Sequence, residues 1–271
     1  MTRYHRQVVF EPFGEQGQQR LTDARVLICG CGAIGGSVAA ILVRAGVGFL
    51  RLLDDDNVTL DNLHRQFLFN ESDAELTLPK VIAATKALQA ANSNVTIEPI
   101  CKRLTSENGR DLIADVDLLI DGTDNFPARF LLNDLALSSG KPLVSGGVSG
   151  ASGQVLTVLP GQTPCLACVF DSTLVSADAN QSFANQNAAE LFPVLSPIVQ
   201  VISAMQSMEA IKILSGNIDH VSRAMLTFDL WSNRVQRFPL EQFCKEPCPL
   251  CREFVFHCAE IRKRDKPEQQ S

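Results

Sequence analysis

Two constellations in the chain carry chemistry. The first begins at Gly30-Cys31-Gly32-Ala33-Ile34-Gly35, which fits G-x-G-x-x-G between an apolar run and a helical pattern. The first glycine permits a tight turn, the second lets backbone approach a phosphate, and the third allows the helix to lie close on a sheet. Exposed N–H groups at the start of that helix favour the phosphate's charge. Asp54, 24 residues beyond Gly30, ends the next apolar run, where a carboxylate accepts both ribose hydroxyls. Asp56 joins the nucleotide-binding set, and Asp55 reads as a plain acidic turn.

Asn62, Arg65 and Gln66 follow immediately, two amides around a guanidinium whose fork suits phosphate. His64 between them is a spacer within the motif. Lys80 sits in the first turn of a helix, beside free amides and the positive end of the dipole, where a cation is unfavourable unless an anion is present. Asp121 and Asp124 leave the strand Val116–Ile120, and one carboxylate at that sheet edge can hold Mg2+ against a triphosphate. Cationic clamps with Mg2+ and no evident hydride acceptor point to nucleotidyl transfer.

The second constellation is Cys165-x-x-Cys168 with Cys248-x-x-Cys251. Two such pairs complete a tetrahedral all-thiolate site, which selects structural zinc, with an iron–sulfur centre or redox dithiols as alternatives. Of the other cysteines, Cys29, Cys31 and Cys101 read as small buried apolar side chains.

The elements that must position these groups alternate. Arg25–Cys29 and Phe49–Leu53 read as strands around a helix that stops at Gly46. A helix opened by Pro79, strands at Val95–Ile100 and Val116–Ile120, a helix from Pro127 to Ser139 and the strand at 142–146 continue the series. The fold class is α/β: a Rossmann-like, doubly wound, mostly parallel sheet. From residue 150 the texture changes to short strands (154–160, 224–230, 234–240) that extend the sheet antiparallel, with the four-cysteine zinc site in this half. Ser172–Leu191 is a surface loop or mobile crossover. A helix from Ile198 to Leu214 turns Val201, Ile202, Met205, Met208, Ile211 and Leu214 toward the core.

With 271 residues, 45% hydrophobic and 20% charged, the chain holds one large core. The division expected is a single domain over residues 1–252, its nucleotide-binding half about 20–150 and its zinc-bearing half about 151–252, then a tail over 253–271. A formal charge of −6 excludes general nucleic-acid binding. Neither a signal peptide nor an apolar run of membrane-spanning length is evident, which places the chain in the cytoplasm without a membrane partner.

Taken together, the segments Arg3–Gln7, GCGAIG, DDDNVTLDNLHRQ, Pro79-Lys80, DGTDNFPARFLLND, KPLVSG, the two C-x-x-C pairs and SAMQSMEAIKILSG resemble the ThiF/MoeB/HesA family. These are the bacterial relatives of ubiquitin-activating E1 enzymes. The resemblance spans about Arg3 to Arg252. It implies ATP–Mg2+ adenylation of the C-terminal glycine of a small ubiquitin-like sulfur-carrier protein ending in Gly-Gly, with release of pyrophosphate, in molybdenum-cofactor, thiamine or related biosynthesis. It implies a homodimer in which Arg6 reaches the partner's triphosphate. Asp54 matches the ribose carboxylate, Asn62, Arg65 and Gln66 the phosphate-side cluster, Lys80 the catalytic lysine, and Asp124 the aspartate that positions magnesium.

Two departures stand out. The position where some members carry a crossover cysteine is Ala189, so sulfur transfer falls to a separate sulfurtransferase or cysteine desulfurase. The segment ESDAELTLPK is about two residues longer than the usual connection to the lysine. Two other readings remain at this point, a zinc-stabilised nucleotide-binding interaction protein without turnover and an NAD-dependent oxidoreductase.

Overall fold

The structure is a computed structural model and describes residues 3–170 and 193–243. Eight strands form one sheet: β1 (Arg25–Cys29), β2 (Phe49–Leu53), β3 (Thr96–Ile100), β4 (Leu118–Asp121), β5 (Leu143–Ser149), β6 (Ser152–Val158), β7 (Ala224–Asp229) and β8 (Arg234–Pro239). Their order is β3-β2-β1-β4-β5-β6-β7-β8. The first five run parallel, and β5 through β8 pair antiparallel. The chain leaves β1 toward β2 and β3, then returns to β1's other side with β4. This reversal opens a crevice at the carboxyl ends of β1 and β4, where open α/β sheets bind ligands.

The helices of the described residues are α1 (His5–Val8), α2 (Gly14–Asp23), α3 (Ala33–Ala45), α4 (Glu71–Glu75), α5 (Lys80–Ala91), α6 (Gly109–Ile113), α7 (Phe126–Ser139), α8 (Leu166–Val169) and α9 (Ser196–Leu214). Sequence reading missed α1, α2, α4, α6 and α8. One core holds α3, α5 and α9 against one face of the sheet, through residues such as Val38, Leu42, Leu88 and Ile202. A second lies under α6 and α7, around Leu119, Leu132 and Ile113. Strands β1 and β4 are buried nearly throughout because both of their faces are covered.

Several expectations need correction. Pro79 precedes the helix rather than opening it, and α5 starts at Lys80. Met208 is half exposed, and Cys101 is exposed whereas Cys29 and Cys31 are buried. The four-cysteine zinc site drops out of the fold description. Among the described residues, the one group of three or more metal-capable side chains is Asp54, Asp55 and Asp56. Cys165 and Cys168, with sulfurs 3.9 Å apart, bring only half of a closed tetrahedral set. Cys248, Cys251, Ala189, the Ser172–Leu191 loop and the tail from residue 253 lie outside the described residues. Among the described residues, no helix is long and apolar enough to cross a membrane.

Candidate active site

The glycine turn is built on backbone-to-backbone contact. Gly30 has φ +87°, a left-handed conformation that disfavours side chains. A Cβ on Gly35 would lie 1.8 Å from the Gly30 carbonyl, and one on Gly122 would lie 2.8 Å from Gly35 Cα. Gly30, Gly35 and Gly122 therefore lock the turn after β1 to the turn after β4. Gly32 differs, since a Cβ there would meet nothing closer than Gln66 Nε2 at 3.6 Å. Gly32 is also the N-cap of α3, and no side chain caps that helix. Its first amides are left for an anion.

Asp54 closes one side of this turn. Its carboxylate accepts from the Cys31 amide at 2.6 Å and the Asp56 amide at 2.8 Å. Burial pushes its pKa above the usual carboxylate range, while Lys80 and the two amides pull the other way. Both neighbouring thiols, Cys29 and Cys31, are pushed far up by burial and then by nearby carboxylates, so they stay protonated and chemically silent.

Lys80 comes to the same place. Its side chain is 8% exposed, and Nζ donates to Asp56 Oδ2 at 2.8 Å. The Lys80 amide also donates to the Asp56 carbonyl, and an isolated bridge joins Asn57 to Pro79. The long connection before it folds into α4, closed by a capping box between Asn70 and Asp73. The extra length thus leaves Lys80 anchored beside Asp54 and Asp56.

The Asn62–Gln66 segment lies across the glycine turn. Gln66 donates to Asn62 Oδ1, and its own Oε1 is buried with no partner among the described residues. An enclosed polar atom left unpaired marks a place where something polar is to be bound. Asn62 is held by Thr59 and Asp61. Arg65 is half-buried and donates weakly to the Asp61 carbonyl at 3.4 Å and His64 Nε2 at 3.3 Å, so its fork is available to a stronger acceptor.

The two aspartates after β4 separate in role. Asp121 is enclosed and ion-paired to Arg129 at 2.8 Å. Asp124 is exposed at the crevice, and among the described residues its carboxylate accepts from Asn125 Nδ2 at 3.2 Å. Asn125 in turn caps α7 by accepting from the Ala128 amide. Arg6 is not part of this assembly. Gln7 donates to the carbonyl of Ala45, the last residue of α3, and Tyr4 accepts from Asn92 at the end of α5. Gly122, Arg129, Ser145 and Gln206 were not singled out in the sequence. Gln206 reaches the site's floor from α9, donating to the carbonyls of Asp121 and Val144.

Fold and turn define a Rossmann-type nucleotide-binding protein whose sheet is extended by antiparallel strands. Residues 4–250 match the ThiF family, and the chain belongs to it. Over 92% of this chain and 71% of the other it is 35% identical to the sulfur carrier protein ThiS adenylyltransferase of Bacillus subtilis. It is 35% identical to the sulfur carrier protein adenylyltransferase of Thermus thermophilus, over 93% of this chain and 90% of the other. Among solved structures, E. coli MccB with ATP superposes with a TM-score of 0.73 at 21% identity, covering 89% of this chain and 72% of that one, a likeness of fold.

Proposed function

We propose that this chain adenylates the C-terminal glycine carboxylate of a small ubiquitin-like sulfur-carrier protein, using ATP with Mg2+ and releasing pyrophosphate. The observation that carries the reading is the buried Lys80 ammonium beside Asp54 and the uncapped start of α3, held by a mostly exposed carboxylate that a triphosphate can displace. A carrier carboxylate oxygen attacks the α-phosphorus. The bond from that phosphorus to the bridging oxygen breaks, and pyrophosphate leaves with the electron pair, so no proton need move.

In this reading the Gly30–Gly35 turn and the α3 amides hold phosphate oxygens, and Asp54 accepts the ribose hydroxyls. Asn62, Arg65 and Gln66 bind the phosphate side, and Lys80 stabilises charge developing at the α-phosphate. Asp124 holds the magnesium, which neutralises phosphate charge when bound. The relatives named as sulfur-carrier adenylyltransferases support this reaction over hydride transfer.

Arg6 serves the partner's site in a symmetric homodimer. The 13 residues of α3 span about 20 Å, and α1 is tied to the end away from the glycine turn. That separation supports delivery across a subunit boundary rather than within one chain. Because no cysteine occurs from Val169 to Phe243, sulfur delivery is assigned to a separate sulfurtransferase or cysteine desulfurase.

The test mixes the protein with ATP, Mg2+ and each Gly-Gly-ended carrier encoded in the same genome, with hydroxylamine as trap. The expected results are a C-terminal hydroxamate on one carrier and carrier-dependent pyrophosphate exchange. Absence of exchange with every such carrier refutes the reading.

A further inference from the structure

Nothing proposed so far uses the buried ion pair beneath the crevice. Asp121 Oδ1 accepts from the Thr123 amide at 3.0 Å and Thr123 Oγ1 at 2.6 Å, while Oδ2 accepts from Arg129 Nε at 2.8 Å and Ser145 Oγ at 2.6 Å. Four donors fill the lone pairs of a carboxylate, so Asp121 has no capacity left for a metal. Arg129 does more than neutralise it. Its Nη2 donates to the Thr123 carbonyl at 3.2 Å and the Gly146 carbonyl at 2.9 Å, which joins the loop after β4 to β5.

A buried pair of this kind adds little net stability, because desolvation offsets its Coulomb energy. What it supplies is orientation. The Thr123 carbonyl belongs to the peptide that leads into Asp124, and the next residue, Asn125, is fixed as the cap of α7. On the other side, Gly122 is packed against Gly30 and Gly35. Asp124 is thus the one residue of the loop 121–125 with an exposed carboxylate, on a backbone clamped from both directions.

We propose that Arg129 is a positioning residue for Asp124: by holding the Thr123 carbonyl it aims the Asp124 carboxylate at the magnesium of bound ATP. The inference rests on the assignment of Asp124 to magnesium in the proposed function. Arg129→Lys keeps a cation for Asp121, but a single ammonium lacks the planar fork that reaches Asp121 and both carbonyls together.

ATP affinity is measured by calorimetry in saturating Mg2+ and in EDTA, alongside thermal melting. Arg129→Lys is expected to bind ATP in EDTA as the wild type does, and to lose about tenfold of the affinity gained with Mg2+, the range seen when a metal ligand's support is removed. Asp124→Asn should lose the same gain, and the double variant no more than Asp124→Asn alone. Thr123→Val, which keeps the carbonyl but removes a donor to Asp121, should melt earlier with its Mg2+ gain intact. A full Mg2+ gain in Arg129→Lys, or an equal loss with and without Mg2+, overturns the positioning role. So does failure of both Arg129→Lys and Arg129→Gln to fold, which would make the pair purely structural. If Asp124→Asn itself keeps the Mg2+ gain, the magnesium assignment falls instead.

Discussion

Gly32→Ala and Gly35→Ala, three residues apart, should fail in opposite ways. At Gly35 the new methyl would stand 1.8 Å from the Gly30 carbonyl oxygen and 3.1 Å from Ile28 Cγ2. Relief requires a backbone shift of more than 1 Å at the centre of the sheet, costing roughly 2–3 kcal/mol or more. For a domain of this size that corresponds to a drop in Tm of about 4–12 °C. At Gly32 the nearest atom is 3.6 Å away, so alanine has room, at a cost of about 1 kcal/mol for a poorer N-cap. Its methyl would nevertheless occupy the face that phosphate must approach. Gly32→Ala should therefore melt only about 2–4 °C below wild type and bind ATP at least tenfold more weakly, about 1.4 kcal/mol. Scanning calorimetry and ATP titration on the same preparations read both numbers. Wild-type ATP affinity in a well-folded Gly32→Ala protein would mean that phosphate does not lie against this turn.

Other perturbations probe separate links. Lys80→Met keeps the packed stem and frees an already exposed Asp56, so the melting temperature should move by only a few degrees while kcat for carrier-dependent pyrophosphate exchange falls about 10²–10³-fold; a loss under threefold removes Lys80 from the chemistry. Mixing Arg6→Ala with Lys80→Met subunits should restore part of the exchange activity, since mixed dimers rebuild one intact site; mixtures no more active than either parent contradict the cross-subunit role. Asp115 is held down to about 2, chiefly by Arg51 and also by Arg25. Its contribution is present above the unfolded-state value near 3.8 and is lost as pH falls through about 2. With half of its side chain exposed, solvent screening limits that contribution to about 1 kcal/mol. Urea unfolding of Asp115→Asn should show this deficit at pH 7 and only a small remnant of it near pH 2, and a constant deficit would assign it to packing.

The parallel half of the fold was legible because glycine and proline punctuate each βα unit and the strands between them are continuously apolar. The helix α9 was legible, but its buried face was read only in part. Its buried face includes Ser203, Ser207 and Glu209, paired with the Ile34 carbonyl, the Ser203 carbonyl and the Ser222 amide, and Gln206, whose Nε2 donates to the Asp121 carbonyl while its Oε1 has no partner among the described residues. An apolar periodicity cannot find a face made of polar groups, so Met208 was drawn inward although it is half exposed. The helix α2 was invisible for a related reason, since Leu21 is its only large aliphatic side chain. Strand-end position alone could not separate Asp121 from Asp124. The distinction depends on Arg129, eight residues on, turning back from α7, and on Ser145 arriving from the next strand. Likewise, the need for an anion beside Lys80 was readable, but not that Asp56 supplies one within the chain itself.

The two ends of the sheet put carboxylates to opposite uses. At the end where β2 begins, Asp115 faces Arg51 and Arg25 in partly open solvent, its pKa is depressed, and its ionised form stabilises the fold. At the end where β2 stops, Asp54 is partly buried and its pKa is raised, so the linkage sign reverses: the folded state is favoured as Asp54 protonates and loses stability as pH rises through its folded value. Where Asp54 is ionised the fold carries that penalty, offset among the described residues by two backbone amides and the Lys80 field. Donors from a bound ribose would remove part of it, and the buried, unpaired Gln66 Oε1 and the uncapped α3 amides await partners in the same crevice. Nucleotide should therefore raise the melting temperature most at pH values where Asp54 is ionised. A thermal shift with ATP that stays constant from well below to well above the titration of Asp54 would show that the carboxylate does not contact the ligand.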